Sequence, residues 1–372
     1  MDMNTILGIS GGVFYALYKL LKSLFDNGHW GWAVAIIVVV IIYYWIKESG
    51  SKSTPKKETA NIPQNKSDEI IAEVYKPADS PVQVAGCIKC GKTLKNDRYR
   101  IFNYISHSGF GSTYLAEDLL LNKYVAIKEL FLRDICTRQL QTEKVQVSIE
   151  TNRAAFDNLK KKFIKEAKRL QTFNCPNIIK VYDCFEENDT AYYSMDYIPG
   201  ESLASVVKEK GRLDETTLRK LLPGLLNALK LVHNEKIWHL DIKPANLMLR
   251  NNASIVLIDF GASKQYEDKD GKTLTSSSAM CYTSGYAPPE QISNNIKNIG
   301  AWTDIYALGA TLYNLLTGDK PPQTDEILSE GLPPFPSTIS RQMANAITQM
   351  MQPNRNMRPQ SVSAVEQLLG LS

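Results

Sequence analysis

The run His239-Leu240-Asp241-Ile242-Lys243-Pro244-Ala245-Asn246 is followed by the apolar stretch Ile255-Val256-Leu257-Ile258 and the turn Asp259-Phe260-Gly261. An aspartate with an asparagine five residues on, then a second aspartate closing a β-run, is the set that phosphoryl transfer requires. Asp241 supplies a carboxylate that accepts the proton of an attacking hydroxyl. The amide oxygen of Asn246 and the carboxylate of Asp259 hold a divalent cation against nucleotide phosphates. Lys243 places a positive charge on the moving phosphoryl group.

Upstream, Ile105-Ser106-His107-Ser108-Gly109-Phe110-Gly111-Ser112-Thr113-Tyr114 reads as strand, turn, strand. Bare backbone at Gly109 and Gly111 lets amide N–H groups approach phosphates. Val125-Ala126-Ile127-Lys128 is a short strand ending in a lysine. A helical pattern then runs from Phe156 to Phe173 and carries Glu166 beside Phe163, Ala167 and Leu170. A buried lysine needs a nearby anion to stay charged, and Glu166 is the candidate partner. Val181 to Tyr197 alternates as two strands about Glu186-Glu187-Asn188-Asp189, and Thr216 to Asn234 reads as an amphipathic helix.

In this order the segments resemble eukaryotic-type Ser/Thr protein kinases of the bacterial, membrane-anchored kind, over roughly Arg98 to Leu371. The resemblance implies an α+β, two-lobed fold, with a small β-rich lobe and a larger helical one. It implies Asp241, Lys243 and Asn246 as catalytic residues, and Asn246 and Asp259 as ligands of Mg²⁺ or Mn²⁺. For ATP it implies Ile105, Gly109, Gly111, Thr113, Lys128, Glu166, and the backbone of Asp196 and Ile198 after the gatekeeper position Met195. The family's first two loop glycines are Ser106 and Ser108 here. Thr283-Ser284-Gly285-Tyr286-Ala287-Pro288-Pro289-Glu290 resembles the element that closes the activation segment, with Arg358 as the partner of Glu290 and Asp304 tying down the catalytic loop. Lys243 and Thr283 point to Ser/Thr hydroxyls on protein substrates. The interval between Lys128 and Glu166 is long for the family, and the extra segment near Leu130 to Glu150 is either an ornament or a regulatory surface.

One departure bears on regulation. Leu240 stands where most members carry an arginine that meets a phosphate on the activation segment. Phosphorylation of Thr273, Thr275 or Ser276 to Ser278 therefore lacks its usual receptor. The segment is expected to order without phosphate, or through contacts in a homodimer. Two other classes compete with an active kinase: a catalytically dead scaffold, marked by loss of one of the six key residues, and a small-molecule phosphotransferase, marked by loss of Glu290 and Arg358. All are present.

With 372 residues, 44% hydrophobic and 22% charged, the chain has ample core. A net charge of +4 gives no case for nucleic acid. The six cysteines are scattered apart from one pair, the pattern of a reducing compartment. That pair, Cys87 and Cys90, is either two free thiols in a turn or half of a zinc site.

Trp30 to Ile46 is apolar throughout and flanked by aromatic residues. As a helix it spans about 26 Å, close to the hydrocarbon thickness of a bilayer. Residues 29–46 are therefore expected to cross the membrane once, and Lys47, Lys52, Lys56 and Lys57 place the following chain in the cytoplasm. Residues 1–28 read as an interfacial amphipathic segment or a marginal first span. Residues 47–97 read as a flexible linker bearing the cysteine pair, and 98–371 as the catalytic domain.

Overall fold

The computed structural model describes residues 84, 86–109, 111–251, 253–260, 282–293 and 296–371. All lie in the second of two compact units, residues 63–372. The expected segments 1–28 and 29–46, most of the 47–97 linker, and the hydroxyl residues Thr273 to Ser278 lie outside the described residues. No helix among the described residues is long and apolar enough to cross a membrane.

The small lobe is a six-stranded antiparallel sheet. Its strands are β1 (Thr93–Leu94), β2 (Tyr99–Ser108), β3 (Gly111–Asp118), β4 (Lys123–Leu130), β7 (Val181–Glu187) and β8 (Thr190–Asp196), in the order β1-β2-β3-β4-β8-β7. Strand β4 is central, and its residues from Val125 to Leu130 are all buried. Its β-branched and aromatic content suits that position. The β7–β8 hairpin turns on Asn188 and Asp189, with φ of 51° and 59°. Two residues with positive φ match the right-handed twist of a two-residue hairpin, and asparagine and aspartate tolerate them best.

Helix α1 (Arg153–Thr172) buries Phe156, Phe163, Glu166, Ala167 and Leu170. That spacing is one helical stripe, so Glu166 is carried inward by the periodicity that buries its apolar neighbours. Phe163 meets Tyr193 of β8 with ring centroids 4.9 Å apart.

The extra segment forms a second small sheet, β5 (Cys136–Arg138) paired with β6 (Val145–Val147). Cys136, Val145 and Val147 join the same core as Phe131 and Phe156. The other face of the main sheet is covered by residues before β2. Cys87, Ile88 and Leu94 are buried there with Tyr99, Tyr114 and Tyr192. This corrects the flexible linker expected up to residue 97. Between residues 86 and 97 the chain lays Cys87, Ile88 and Leu94 on the sheet, because its apolar outer face needs a cover.

The large lobe is helical. Its helices are α2 (Leu203–Lys210), α3 (Glu215–Asn234), α4 (Pro289–Ile292), α5 (Ala301–Thr317), α6 (Thr324–Glu330), α7 (Arg341–Met350) and α8 (Val362–Leu369). Asp214 caps α3 by accepting from the Thr217 N–H at 2.8 Å. Leu218, Leu222, Leu225, Leu229 and Val232 form its buried stripe. Helix α5 is buried on nearly every side and is the centre of the lobe.

A short hairpin, β9 (Leu247–Arg250) with β10 (Ser254–Leu257), joins the two functional turns of this lobe. Loop 176–179 is bound to it: Leu257 N–H donates to Asn177 C=O at 2.8 Å, and Ile179 N–H to Leu257 C=O at 3.0 Å. Asp241 and Asn246 precede the hairpin and Asp259 follows it.

Candidate active site

A cleft of about 450 Å³ lies where β2, β3, β4 and β8 face the catalytic loop. Its walls include Ile105, Gly109, Thr113, Lys128, Asp196 and Ile198 on one side and Asp241, Lys243, Asn246 and Asp259 on the other. Sequence reasoning did not mark Ala126, Tyr193 and Met248, which also line it. Their signal is weak, since small or apolar residues in strands read first as core.

Asp241 is held from three directions. Its Oδ1 accepts from the Thr283 hydroxyl at 2.9 Å. Its Oδ2 accepts from Asn246 Nδ2 at 2.9 Å and pairs with Lys243 Nζ at 2.8 Å. Lys243 also donates to the Thr283 hydroxyl at 2.9 Å. Sequence reading used Thr283 only as a marker of substrate class; here it closes a ring with the aspartate and the lysine.

The backbone under Asp241 is pinned from below. Fully buried Asp304 accepts from His239 N–H and Leu240 N–H, each at 2.8 Å, and lies 2.7 Å from His233 Nε2. Burial alone would raise its pKa. The His233 hydrogen bond comes first among the influences that overcome this, with the two nearby imidazoles and the Leu240 amide, so the carboxyl sits below its ordinary range. The Asp241 N–H donates to His239 Nδ1 at 3.3 Å, which leaves the ring proton on Nε2 to donate to Ile258 C=O at 3.0 Å. Leu240 is buried with φ of 64°, a conformation that leucine adopts only under constraint. Its C=O accepts from buried Gln291 at 2.7 Å. His233 and Gln291 were not legible as members of this set, because each meets it only across more than fifty residues of chain.

Lys128 is buried in β4, and its ion pair is with Asp259. Burial disfavours the ammonium, but the charge of Asp259, then the Tyr193 phenol and the charge of Glu166, outweigh it, and its pKa rises above the ordinary value. The expected direct clamp between Lys128 and Glu166 is thus a triangle. Asp259 takes the direct contact and Glu166, buried on α1, acts through its charge. A buried ammonium settles on the carboxylate that reaches it best.

Gly111, expected at the phosphates, has a second constraint from the neighbouring strand. A Cβ on Gly111 would fall 1.8 Å from the Glu129 carbonyl oxygen, so the position serves the close approach of β3 to β4.

Asn246 uses its Nδ2 for Asp241, by one bond to the backbone C=O at 2.7 Å and one to the carboxylate. Its amide oxygen, with the Asp259 carboxylate, forms the hard oxygen pair that Mg²⁺ prefers. Among the described residues no three His, Cys, Asp or Glu side chains gather as a metal cage. One amide oxygen and one carboxylate suit an ion that takes its remaining ligands from water and substrate phosphates. Cys87 is buried and Cys90 exposed, and no third ligand joins them among the described residues.

Glu290 and Arg358 form a two-pronged pair, with Nη1 to Oε1 at 2.7 Å and Nη2 to Oε2 at 3.2 Å. Arg358 also donates to the carbonyls of Gln352, Trp302 and Pro353. Such a buried, fully bonded pair fixes the end of the activation segment to the large lobe.

A family model for the protein kinase domain matches residues 99–369. The chain belongs to the protein kinase family. This kinase is 32% identical over 285 residues to Serine/threonine-protein kinase B of Synechocystis sp., covering 73% of this chain and 46% of that protein. It is 29% identical over 231 residues to Serine/threonine-protein kinase PrkC of Bacillus subtilis, covering 62% of this chain and 32% of that protein. The chain thus spans less than half the length of these relatives. Among solved structures, the apo form of PpkA-294 superposes with a TM-score of 0.67 at 29% identity, over 77% of this kinase and all of that chain.

Proposed function

We propose that the chain is a membrane-anchored Ser/Thr protein kinase that transfers the γ-phosphate of ATP to protein hydroxyls. The observation that carries this reading is the ring of Thr283, Lys243 and Asn246 around Asp241, in one cleft with Lys128 and Asp259. Family membership and two relatives named as serine/threonine-protein kinases support it.

In this reading the cleft's apolar wall takes the adenine, with the backbone C=O of Asp196 and N–H of Ile198 meeting its edge. The Asp196 carboxylate is turned to Tyr182 and Arg250. Lys128 grips the phosphates. Asn246 and Asp259 would hold Mg²⁺, whose charge would offset that of the phosphate oxygens. Asp241 orients the substrate hydroxyl and accepts its proton as the oxygen bonds to the γ-phosphorus and the bond to the ADP oxygen breaks. Lys243 offsets the charge that develops on the transferred group.

Residues 29–46 are read as the anchor, with the catalytic domain in the cytoplasm. Deleting residues 1–50 is expected to leave an active kinase in the soluble fraction, while the full chain stays with membranes through a high-salt wash. A truncated protein that still pellets with membranes would place the anchor elsewhere.

Phosphate-independent activation follows from Leu240. Its backbone is held by Asp304 and Gln291, and its buried side chain has no donor to offer a phosphate. Replacing Thr273, Thr275, Ser276, Ser277 and Ser278 together by alanine is expected to lower activity less than about fivefold, or roughly 1 kcal/mol of barrier. A hundredfold loss, restored by acidic replacements, would assign the missing arginine's role to another basic group.

A further inference from the structure

The residue after Lys128 is a second buried charge on the same strand. The side chains of Glu129 and Arg138 are 0% and 2% exposed and pair at 2.5 Å. The Glu129 carboxylate also accepts from Tyr192 at Oε1 and from Tyr114 at Oε2, each at 2.8 Å. The other nitrogens of Arg138 leave the strand. Its Nε donates to Gly86 C=O at 2.8 Å and its Nη1 to Glu143 C=O at 2.7 Å. The guanidinium lies over Phe131, 5.1 Å from the ring centre.

One side chain therefore joins three pieces of chain: the strand of Lys128, the 131–150 hairpin, and the segment that leads into the catalytic domain. The same hairpin shares its core with Phe156 on the helix of Glu166. Gly86 and Glu143 both lie outside the machinery that the reaction uses. A buried guanidinium with all three of its nitrogens bonded is costly to assemble, and apolar residues would fill the same space at least as stably. What it adds is register. Residues 128 and 129 share a peptide plane, so a clamp on Glu129 sets where the Lys128 side chain departs toward the cleft.

We propose that Arg138 is a positioning residue for phosphoryl transfer. By stapling Gly86 and the hairpin to Glu129, it sets Lys128 and α1 for the nucleotide. The segment at residues 86–88, although outside the residues that the family model matches, then belongs to the catalytic unit. The inference rests on the kinase reading.

The test uses the full chain with three changes: Arg138→Met, Arg138→Met with Glu129→Gln, and Arg138→Lys. Thermal midpoint, kcat and KM for ATP per folded molecule, and the rate at which an acylating ATP probe labels Lys128 are measured well below each midpoint. The double variant leaves no lone buried charge, and its amide oxygen keeps one of the two tyrosine donations while its NH₂ turns to the other tyrosine's hydroxyl oxygen. It is expected to fold, yet to lose about tenfold in kcat, gain about fivefold in KM for ATP and label Lys128 more slowly. Arg138→Lys is expected to lose less, about threefold, because one donor remains for Glu129. A merely structural role lowers the midpoint but leaves these constants within twofold per folded molecule, and that result would overturn the inference. If the double variant does not fold, the lysine variant decides by the same criterion. A wild-type chain without phosphoryl transfer would remove the kinase reading and this inference together; an active wild type with unchanged variants removes only the inference.

Discussion

Asp241→Asn is expected to lower phosphoryl transfer by about 10³-fold or more while leaving the KM for ATP within about threefold, since general-base help is worth roughly 10²–10⁴. The ring around Asp241 adds a loss of positioning to the loss of the proton acceptor. Oδ1 and Oδ2 both accept, from Thr283 and from Asn246 and Lys243. An amide has one oxygen. Its NH₂ either faces the donors of Asn246 and Lys243, donor against donor, or turns to Thr283 Oγ1, which must then accept where it had donated, and either way the ring is broken. ATP binding stays near normal because Lys128 and Asp259 are untouched. Steady-state kinetics on the purified chain check this. A kcat within tenfold of wild type would remove Asp241 from the role of base.

Lys128→Met is expected to cut kcat by about 10²–10³-fold, the scale seen when one preorganised donor to a developing charge is lost. The change is not confined to chemistry. Buried Glu166 and the partly exposed Asp259 would both lose the ammonium that offsets their charge. Breaking a buried pair from one side destabilises by about 3–5 kcal/mol, so the midpoint of unfolding should fall as well. Kinetics must therefore be reported per folded molecule. The pH dependence has a defined sign. The folded pKa of Lys128 lies above its unfolded value, so the stability it contributes is complete below the ordinary lysine value of about 10.4. It is lost only as pH rises through the higher folded value. No loss of activity between pH 6 and 9 should trace to this lysine.

Much of the site was legible in the chain because its members are close in sequence. Asp241, Lys243 and Asn246 share one loop, and Asp259 follows one hairpin later. Helical periodicity turned Glu166 inward before any contact was known. What was not legible depends on contacts between distant segments. The preference of Lys128 for Asp259 is a competition between two carboxylates, and sequence order does not rank them. Gly111 looked like part of a phosphate cradle, yet its constraint is the carbonyl of Glu129 on the neighbouring strand. Residues 86–97 looked like linker because they are short, polar and without period. Their few apolar side chains are nevertheless buried, since Tyr99, Tyr114 and Tyr192 make the outer face of the sheet apolar. The role of Arg138 was hidden for the same reason: an arginine in a three-residue strand reads as surface until its partners are placed.

The central claim is that this cleft moves a phosphoryl group from ATP to a protein hydroxyl through Asp241. The direct measurement incubates the full chain with ATP, Mg²⁺ and generic protein substrates, with the Asp241→Asn chain in parallel, and maps phosphorylated residues by mass spectrometry. The account predicts phosphoserine and phosphothreonine in the wild-type reaction and at least a hundredfold less in the variant. Equal incorporation by the two chains, or none by a folded wild type that binds ATP, would contradict it.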